Sequence, residues 1–214
     1  MTRTQWIWVV LFTFWALFTG WYTSFGGPLT DEEIEHYMTM AEQMEPQFAP
    51  EDLERMRKFM EEDTGDDFVM VNLIDLFEEP LAIPGVAPDQ ASQDVLGQYM
   101  AYMWPALFAR AGHPIFAGRS AADAMDLMNA DGMQSWVTGA GMRYRSRRDM
   151  LEIATDPAFK PAHAFKVAAM RKTIAFPIDP WFQLGDPRLV LGLLLGLTGC
   201  ALSWRAAIRR ADLA

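Results

Sequence analysis

Hydrophobic and polar positions along this chain fall into three regimes. The first is an unbroken apolar run, WIWVVLFTFWALFTGWYTSF, residues 6–25, with no charged side chain. A helix of about 20 residues rises about 30 Å, the thickness of a bilayer's hydrocarbon core. Trp6, Trp8, Trp21 and Tyr22 lie near its ends, where amphipathic rings suit an interface. The last regime is LVLGLLLGLTGCALSW, residues 189–204, flanked by Arg188 and Arg205, whose side chains can snorkel. It offers no polar face, so the pattern predicts two membrane helices, 6–25 and 187–206. Gly192, Gly196 and Gly199 fall roughly on one side of the second helix, where small residues let another helix approach.

The middle regime alternates. Thr30-Asp31-Glu32-Glu33 is a capping-box pattern that opens a helix with Ile34, Tyr37, Met38 and Ala41 on one face. Pro46 and Pro50 interrupt, and Leu53, Met56, Phe59 and Met60 mark a second short helix. This methionine-rich pair, within residues 26–67, packs on the following domain or on a partner. Phe68 to Phe77 is rich in β-branched and aromatic residues and reads as a strand. A helix follows over about Gln90–Ala111, then a short strand, Ile115 to Ala117. Residues 121–128 read as a helical turn or two. Ser135 to Tyr144 reads as a strand interrupted by Gly139 and Gly141. A helix starts at Arg147, restarts at Asp156-Pro157 and runs to about Lys172, and a last strand spans Thr173 to Phe176. The order β-α-β-β-α-β predicts an α+β ferredoxin-like split βαβ domain over residues 68–180, with both helices on one face of an antiparallel sheet. The other face then needs a cover.

Charge adds orientation. Arg3 precedes the first apolar run, and Arg205, Arg209 and Arg210 follow the second. The positive-inside rule predicts a two-pass protein of a bacterial inner membrane, with residues 1–5 and 207–214 cytoplasmic and the central domain periplasmic. Between the two runs lie all the acidic residues except Asp212, in a chain of formal charge -10. That balance argues against a nucleic-acid partner. The single cysteine, Cys200, is read as a small buried residue of the second apolar helix, so no internal disulfide forms.

Three segments carry a resemblance: VNLIDLF, YMAYMWPALFARAGHPIFAGR and MRYRSRRDMLEIATDPAFKPAHAFKVAAMRKTIAFP. Together they resemble the dimeric α/β-barrel superfamily, and more narrowly its DUF1330-like group, over about half the chain. The resemblance implies a ferredoxin-like fold and facing sheets that close a barrel between two copies. Superfamily relatives include monooxygenases, haem-degrading enzymes and muconolactone-type isomerases, and the fold does not choose among them. Membrane spans are a departure from that group.

Candidate chemistry is sparse. Arg143, Arg145, Arg147 and Arg148 crowd into six residues. They form either a salt-bridged strand edge, with Asp149 and Glu152 near, or a site for an anion or an acidic partner. The histidines, His36, His113 and His163, have no metal-ligand spacing. His163 is the candidate for haem contact implied by the superfamily. Asp75, with Asn72 beside it, could meet His113 or His163 in a cleft, joined by Arg143 or Arg145. No phosphate loop, nucleophile elbow or C-x-x-C is present, and no cofactor is assigned. Met100, Met103, Trp104, Phe108 and Trp136 fill a barrel interior or carry an interface.

Two functional readings follow. One is a non-catalytic accessory or assembly subunit whose partner is an integral membrane complex or a second copy, in contact with lipid. The other is a membrane-tethered small-molecule enzyme or binding protein, haem-associated in one variant. The residues leave open whether the domain is an enzyme.

Overall fold

The computed structural model describes residues 1–43 and 49–211; Pro46, read above as a helix breaker, and residues 212–214 lie outside them. The chain divides into two compact units, Met1–Thr23 with Trp181–Ala214, and Ser24–Pro180.

The first unit pairs α1 (Arg3–Tyr22) with α7 (Pro187–Ala211). Thr2 caps α1 in a reciprocal box with Gln5, which satisfies two backbone donors left over at a helix start. The two helices meet through indoles set against glycines. A Cβ on Gly192 would lie 3.0 Å from Trp15, and one on Gly199 would lie 2.7 Å from Trp8, whereas Gly196 meets nothing. Trp15 Nε1 donates to the Arg188 carbonyl at 2.9 Å. Arg188 itself bonds Asp186 and Thr23, with its guanidinium over the Tyr22 ring.

One expectation fails here. Among the described residues only one helix, Pro187–Arg209, is long and apolar enough to cross a membrane. Helix α1 is uncharged through its centre, but four indoles and several Thr and Gly residues interrupt its aliphatic run. An indole keeps a polar N–H that favours an interface over hydrocarbon. The two-pass topology of the inner membrane, with cytoplasmic termini and a periplasmic domain, required a second span and falls with it. Cys200 is also exposed on α7 rather than buried.

The second unit begins with α2 (Asp31–Glu42) and α3 (Pro50–Glu61). The Thr30–Glu33 capping box forms as the sequence pattern predicts. Leu29, Ile34, Tyr37, Met38 and Met60 bury themselves with Leu151, so the methionine face packs on the domain itself.

Strands β1 (Phe68–Leu76), β2 (His113–Arg119), β3 (Thr138–Tyr144) and β4 (Met170–Ile178) form one sheet in the order β2-β3-β1-β4. All its pairings are antiparallel. Helices α4 (Ser92–Ala109), α5 (Arg147–Thr155) and α6 (Phe159–Ala169) separate the strands as in a split βαβ unit. The arrangement is ferredoxin-like. Val95, Leu96, Tyr99, Met103 and Leu107 of α4 pack with Ala162, Ala168 and Ala169, and with Met142 and Tyr144 of the sheet. A fully buried Val or Leu contributes about 1.5–3 kcal/mol, so this layer anchors the unit.

The sheet is open: β2 and β4 are free edges and the strands do not close into a barrel. That corrects the barrel half of the expected fold and the interior role expected of the aromatic residues. Trp104 and Phe108 stack on each other at 5.6 Å on α4, and Phe108 is exposed.

Smaller departures have local causes. Residues 170–172 join β4 instead of extending α6, because β1 pairs with them. Phe77 and Leu81 also donate to the last carbonyls of α6, Ala169 and Ala168. Residues 121–128 form no helix; Ser120 Oγ donates to Ala122, and Ala124 N to Gln134, folding an irregular loop. Asp156 breaks the second helical region by accepting from Ala158 N through its carboxylate.

Candidate functional site

The arginine run closes on itself. Arg143 is 1 % exposed, and donates to Asp67 Oδ2 at 2.7 Å and the Ala111 carbonyl at 2.8 Å. Ala111 takes a left-handed turn, φ 55°, that ends the α4 region and turns this carbonyl to the guanidinium. Arg145 grips both oxygens of Asp149, which also receives the Ser146 hydroxyl. Arg147 reaches Asp63 and the Phe59 carbonyl, with its guanidinium 4.5 Å above the Phe59 ring. Arg148 binds Glu33 at 2.6 and 2.9 Å, and the carbonyls of Gly27 and Pro28. The hydrogen bond from Arg148 is the main cause that holds the Glu33 carboxyl down to about 2. The run therefore works as a clasp around the start of α5, with acceptors drawn from four separate segments.

The expected cleft does not assemble. Asp75 sits near the end of β1, 4 % exposed, and accepts twice from Arg171. His113 opens β2 and aligns with Arg143, which aligns with Val69. Asp75 lies six residue steps along β1 from Val69, about 20 Å along the sheet. His163 belongs to α6 in the helical layer, stacked on Phe159 at 5.1 Å and edge-on to Tyr99. Burial, then Lys166, pushes its imidazole below the ordinary range. Burial likewise lowers Lys166 and raises Tyr144 to about 12. Asp75, His113 and His163 thus occupy three places and do not share a pocket. Asn72 spends its amide on the Met70 carbonyl of its own strand. Among the described residues no group of three or more His, Cys, Asp or Glu could hold a metal.

A different place in the fold is concave. Strand alternation and register put Val71, Leu73, Phe116, Gly118, Gly139, Gly141, Ile174 and Phe176 on the face turned away from the α4–α6 core. Phe116 is 50 % and Phe176 44 % exposed. At the β2–β3 end of this face lies an open groove of about 400 Å³, bounded by Leu73, Phe116, Gly118, Arg119, Trp136 and Gly139.

Its form follows from local chemistry. Phe116 lies across Gly141, where any Cβ would come within 2.4 Å of the ring. A Cβ on Gly118 would meet nothing, so that strand position is bare for no packing reason. Isolated glycine in a strand marks close approach by another group. Trp136 is pinned by its Nε1 bond to the Met133 carbonyl at 2.9 Å, and the Lys172 ammonium sits 4.6 Å from its ring centre. Lys172 also donates to Gly132 at 2.6 Å, tying the loop before β3 to β4. Arg119, the last residue of β2, also borders the groove; it pairs with Thr138, so strand alternation turns its side chain to the face opposite Gly118 and Gly139. Sequence reasoning picked out Trp136 and the two glycines of β3 but missed Gly118. The signal was the stretch FAGRS, a strand that carries a glycine.

No protein-family model matches the chain. No curated protein matches it closely enough to count as a relative. Solved structures do match. The RPA0582 protein of Rhodopseudomonas palustris, of unknown function, is 19 % identical over 60 % of this chain and 93 % of its own, with a TM-score of 0.51. Its methylated form gives 18 %, 62 %, 93 % and 0.52. SnoaB, a cofactor-independent oxygenase from Streptomyces nogalater, is 16 % identical over 56 % of this chain and 99 % of its own, at a TM-score of 0.30, too low to carry an argument. The likeness to RPA0582 shows the fold alone, which the strand order makes a ferredoxin-like α+β domain. Beyond the fold the DUF1330-like resemblance is overturned: the sheet is open rather than closed into a barrel, and among the described residues only one helix, not the two added spans, is apolar enough to cross a membrane.

Proposed function

We propose that the Ser24–Pro180 unit is a small-molecule binding domain whose site is the groove on the outer sheet face. The observation that supports this reading is the groove itself: about 400 Å³, with aromatic walls and a glycine floor. Ligand sites are commonly concave, mostly apolar and furnished with a few polar groups, and this one falls within their size range.

Arg119, Ser120 and Thr138 border it, and none of these groups exchanges a proton near neutrality, so the reading is of binding. The accessory-subunit reading leaned on two spans and an uncovered sheet. One helix apolar enough to span remains, α7, and it offers the chain a membrane tether. The groove gives the sheet face an occupant smaller than a protein.

Thermal unfolding of the full chain with a panel of aromatic and aliphatic compounds tests the proposal. A stabilising compound should lose its effect in Gly118→Leu, which fills the groove without meeting a neighbour. Equal stabilisation in that variant would place the ligand elsewhere and end the reading.

A further inference from the structure

We infer that the groove selects a flat, uncharged aromatic ring system. The inference rests on the binding reading above and adds the chemical class of the ligand.

Shape gives the first half. Gly118 and Gly139 pair across β2 and β3, so the floor beside Leu73 is bare backbone. Such a floor favours a thin, flat ligand over a globular one, because only a planar body contacts it across its whole width. Phe116 rises on one side, half exposed, and Trp136 on another. Their rings reward an aromatic partner through offset or edge-to-face contacts beyond the area buried. Trp136 is already fixed by its bond to Met133 and by Lys172, so little side-chain freedom remains to be lost on binding.

Polar chemistry gives the second half, because the groups around the groove are spent inside the chain. Ser120 Oγ donates to the Ala122 carbonyl at 2.6 Å, and Trp136 Nε1 to the Met133 carbonyl at 2.9 Å. The Lys172 ammonium donates to Gly132 at 2.6 Å and rests against the Trp136 ring. Gly139 lies on β3, an interior strand, so ladder bonds to β1 and β2 occupy its backbone. Arg119 and Thr138 pair with each other one step beyond the glycines, and alternation sends their side chains to the opposite face of the sheet. A charged group entering the groove gives up water and gains no partner, which is unfavourable. The chain's formal charge of -10 works against anions in addition. An uncharged ring system meets neither cost.

The test uses the full chain and three probes by equilibrium dialysis near neutral pH: 2-naphthalenemethanol, flat and neutral; 1-adamantanemethanol, globular and neutral; and 2-naphthoate, flat and anionic. The inference predicts that the flat alcohol binds at least about tenfold tighter than the globular one and several-fold tighter than naphthoate. Phe116→Leu should weaken the flat alcohol by about three- to tenfold, through loss of the ring contact, and leave the globular alcohol nearly unchanged. Gly118→Leu should abolish binding of every probe. If the globular alcohol or naphthoate binds as tightly as the flat alcohol, or Phe116→Leu leaves the flat preference intact, and Gly118→Leu still abolishes binding, the ligand class is wrong and the groove stands. If no probe binds, or binding survives Gly118→Leu, the groove reading fails and this inference with it. Phe116 and Gly118 are solvent-facing, and unfolding curves of each variant confirm that the fold is kept.

Discussion

Replacing Arg143 with methionine separates a clasp from a ligand site. The guanidinium is 1 % exposed and held by Asp67 and the Ala111 carbonyl. Removing it strands a carboxylate whose side chain is 21 % exposed and a carbonyl at the end of α4. Breaking a buried pair by deleting one partner costs about 3–5 kcal/mol. The partial exposure of Asp67 puts this case near the lower end, and methionine recovers part of the packing. The carbonyl left unpaired adds about 1 kcal/mol. The expected loss is therefore about 3–4 kcal/mol. For a unit of this size each kcal/mol moves the midpoint by about 2–4 °C, so the melting temperature should fall by about 6–16 °C. Thermal melts of the full chain followed by circular dichroism read this directly. Asp67→Asn should lose a comparable amount, and the double variant should lose much less than the sum, because both partners are then neutral. A loss under about 1 kcal/mol for Arg143→Met would refute the clasp and return Arg143 to the pool of free binding groups.

Three further perturbations follow from the geometry. Glu33 titrates at about 2 in the folded chain against an ordinary value of 4.5, so its pair with Arg148 stabilises above about pH 4.5 and is lost as pH falls toward 2; the pair is partly solvated, so wild type minus Glu33→Gln should be about 1 kcal/mol at pH 6 and shrink toward zero at pH 2.5, and a difference that stays constant with pH in denaturant titrations would contradict it. Gly65 has φ of +83°, and a Cβ there would lie 2.4 Å from the Gly27 carbonyl carbon; Gly65→Ala should cost about 3 kcal/mol in urea unfolding, from left-handed strain plus a backbone clash. Gly141→Val drives a methyl-bearing carbon into the Phe116 ring; because Phe116 is half exposed it can swing away, so stability should drop only about 1–2 kcal/mol while ligand binding in the groove is lost.

Much of the fold was legible because local patterns and tertiary structure agree. The β-branched and aromatic run in Phe68 to Leu76, the Thr30–Glu33 box and the Asp156-Pro157 break each specify their element with little help from distant residues. The disagreements arise where a partner strand or helix decides. Residues 170–172 continue a helical pattern, yet hydrogen bonds to β1 claim them for the sheet. Helix α1 reads as a span by its lack of charge, but among the described residues only α7 is long and apolar enough to cross a membrane. The site was hardest. Asp75 and His113 both belong to the sheet, but only the register shows that they lie near opposite ends. Gly118 becomes a residue of interest only once β2 and β3 align and Trp136 closes the side of the groove.

The central claim is that the outer sheet face binds a small molecule. The most direct measurement is hydrogen–deuterium exchange of the full chain with and without a saturating concentration of a compound that raises its melting temperature. The account predicts slowed exchange at residues 116–120 and 136–141 and little change in α4 or α6. Protection centred on the helical layer around His163, or none anywhere, would contradict it.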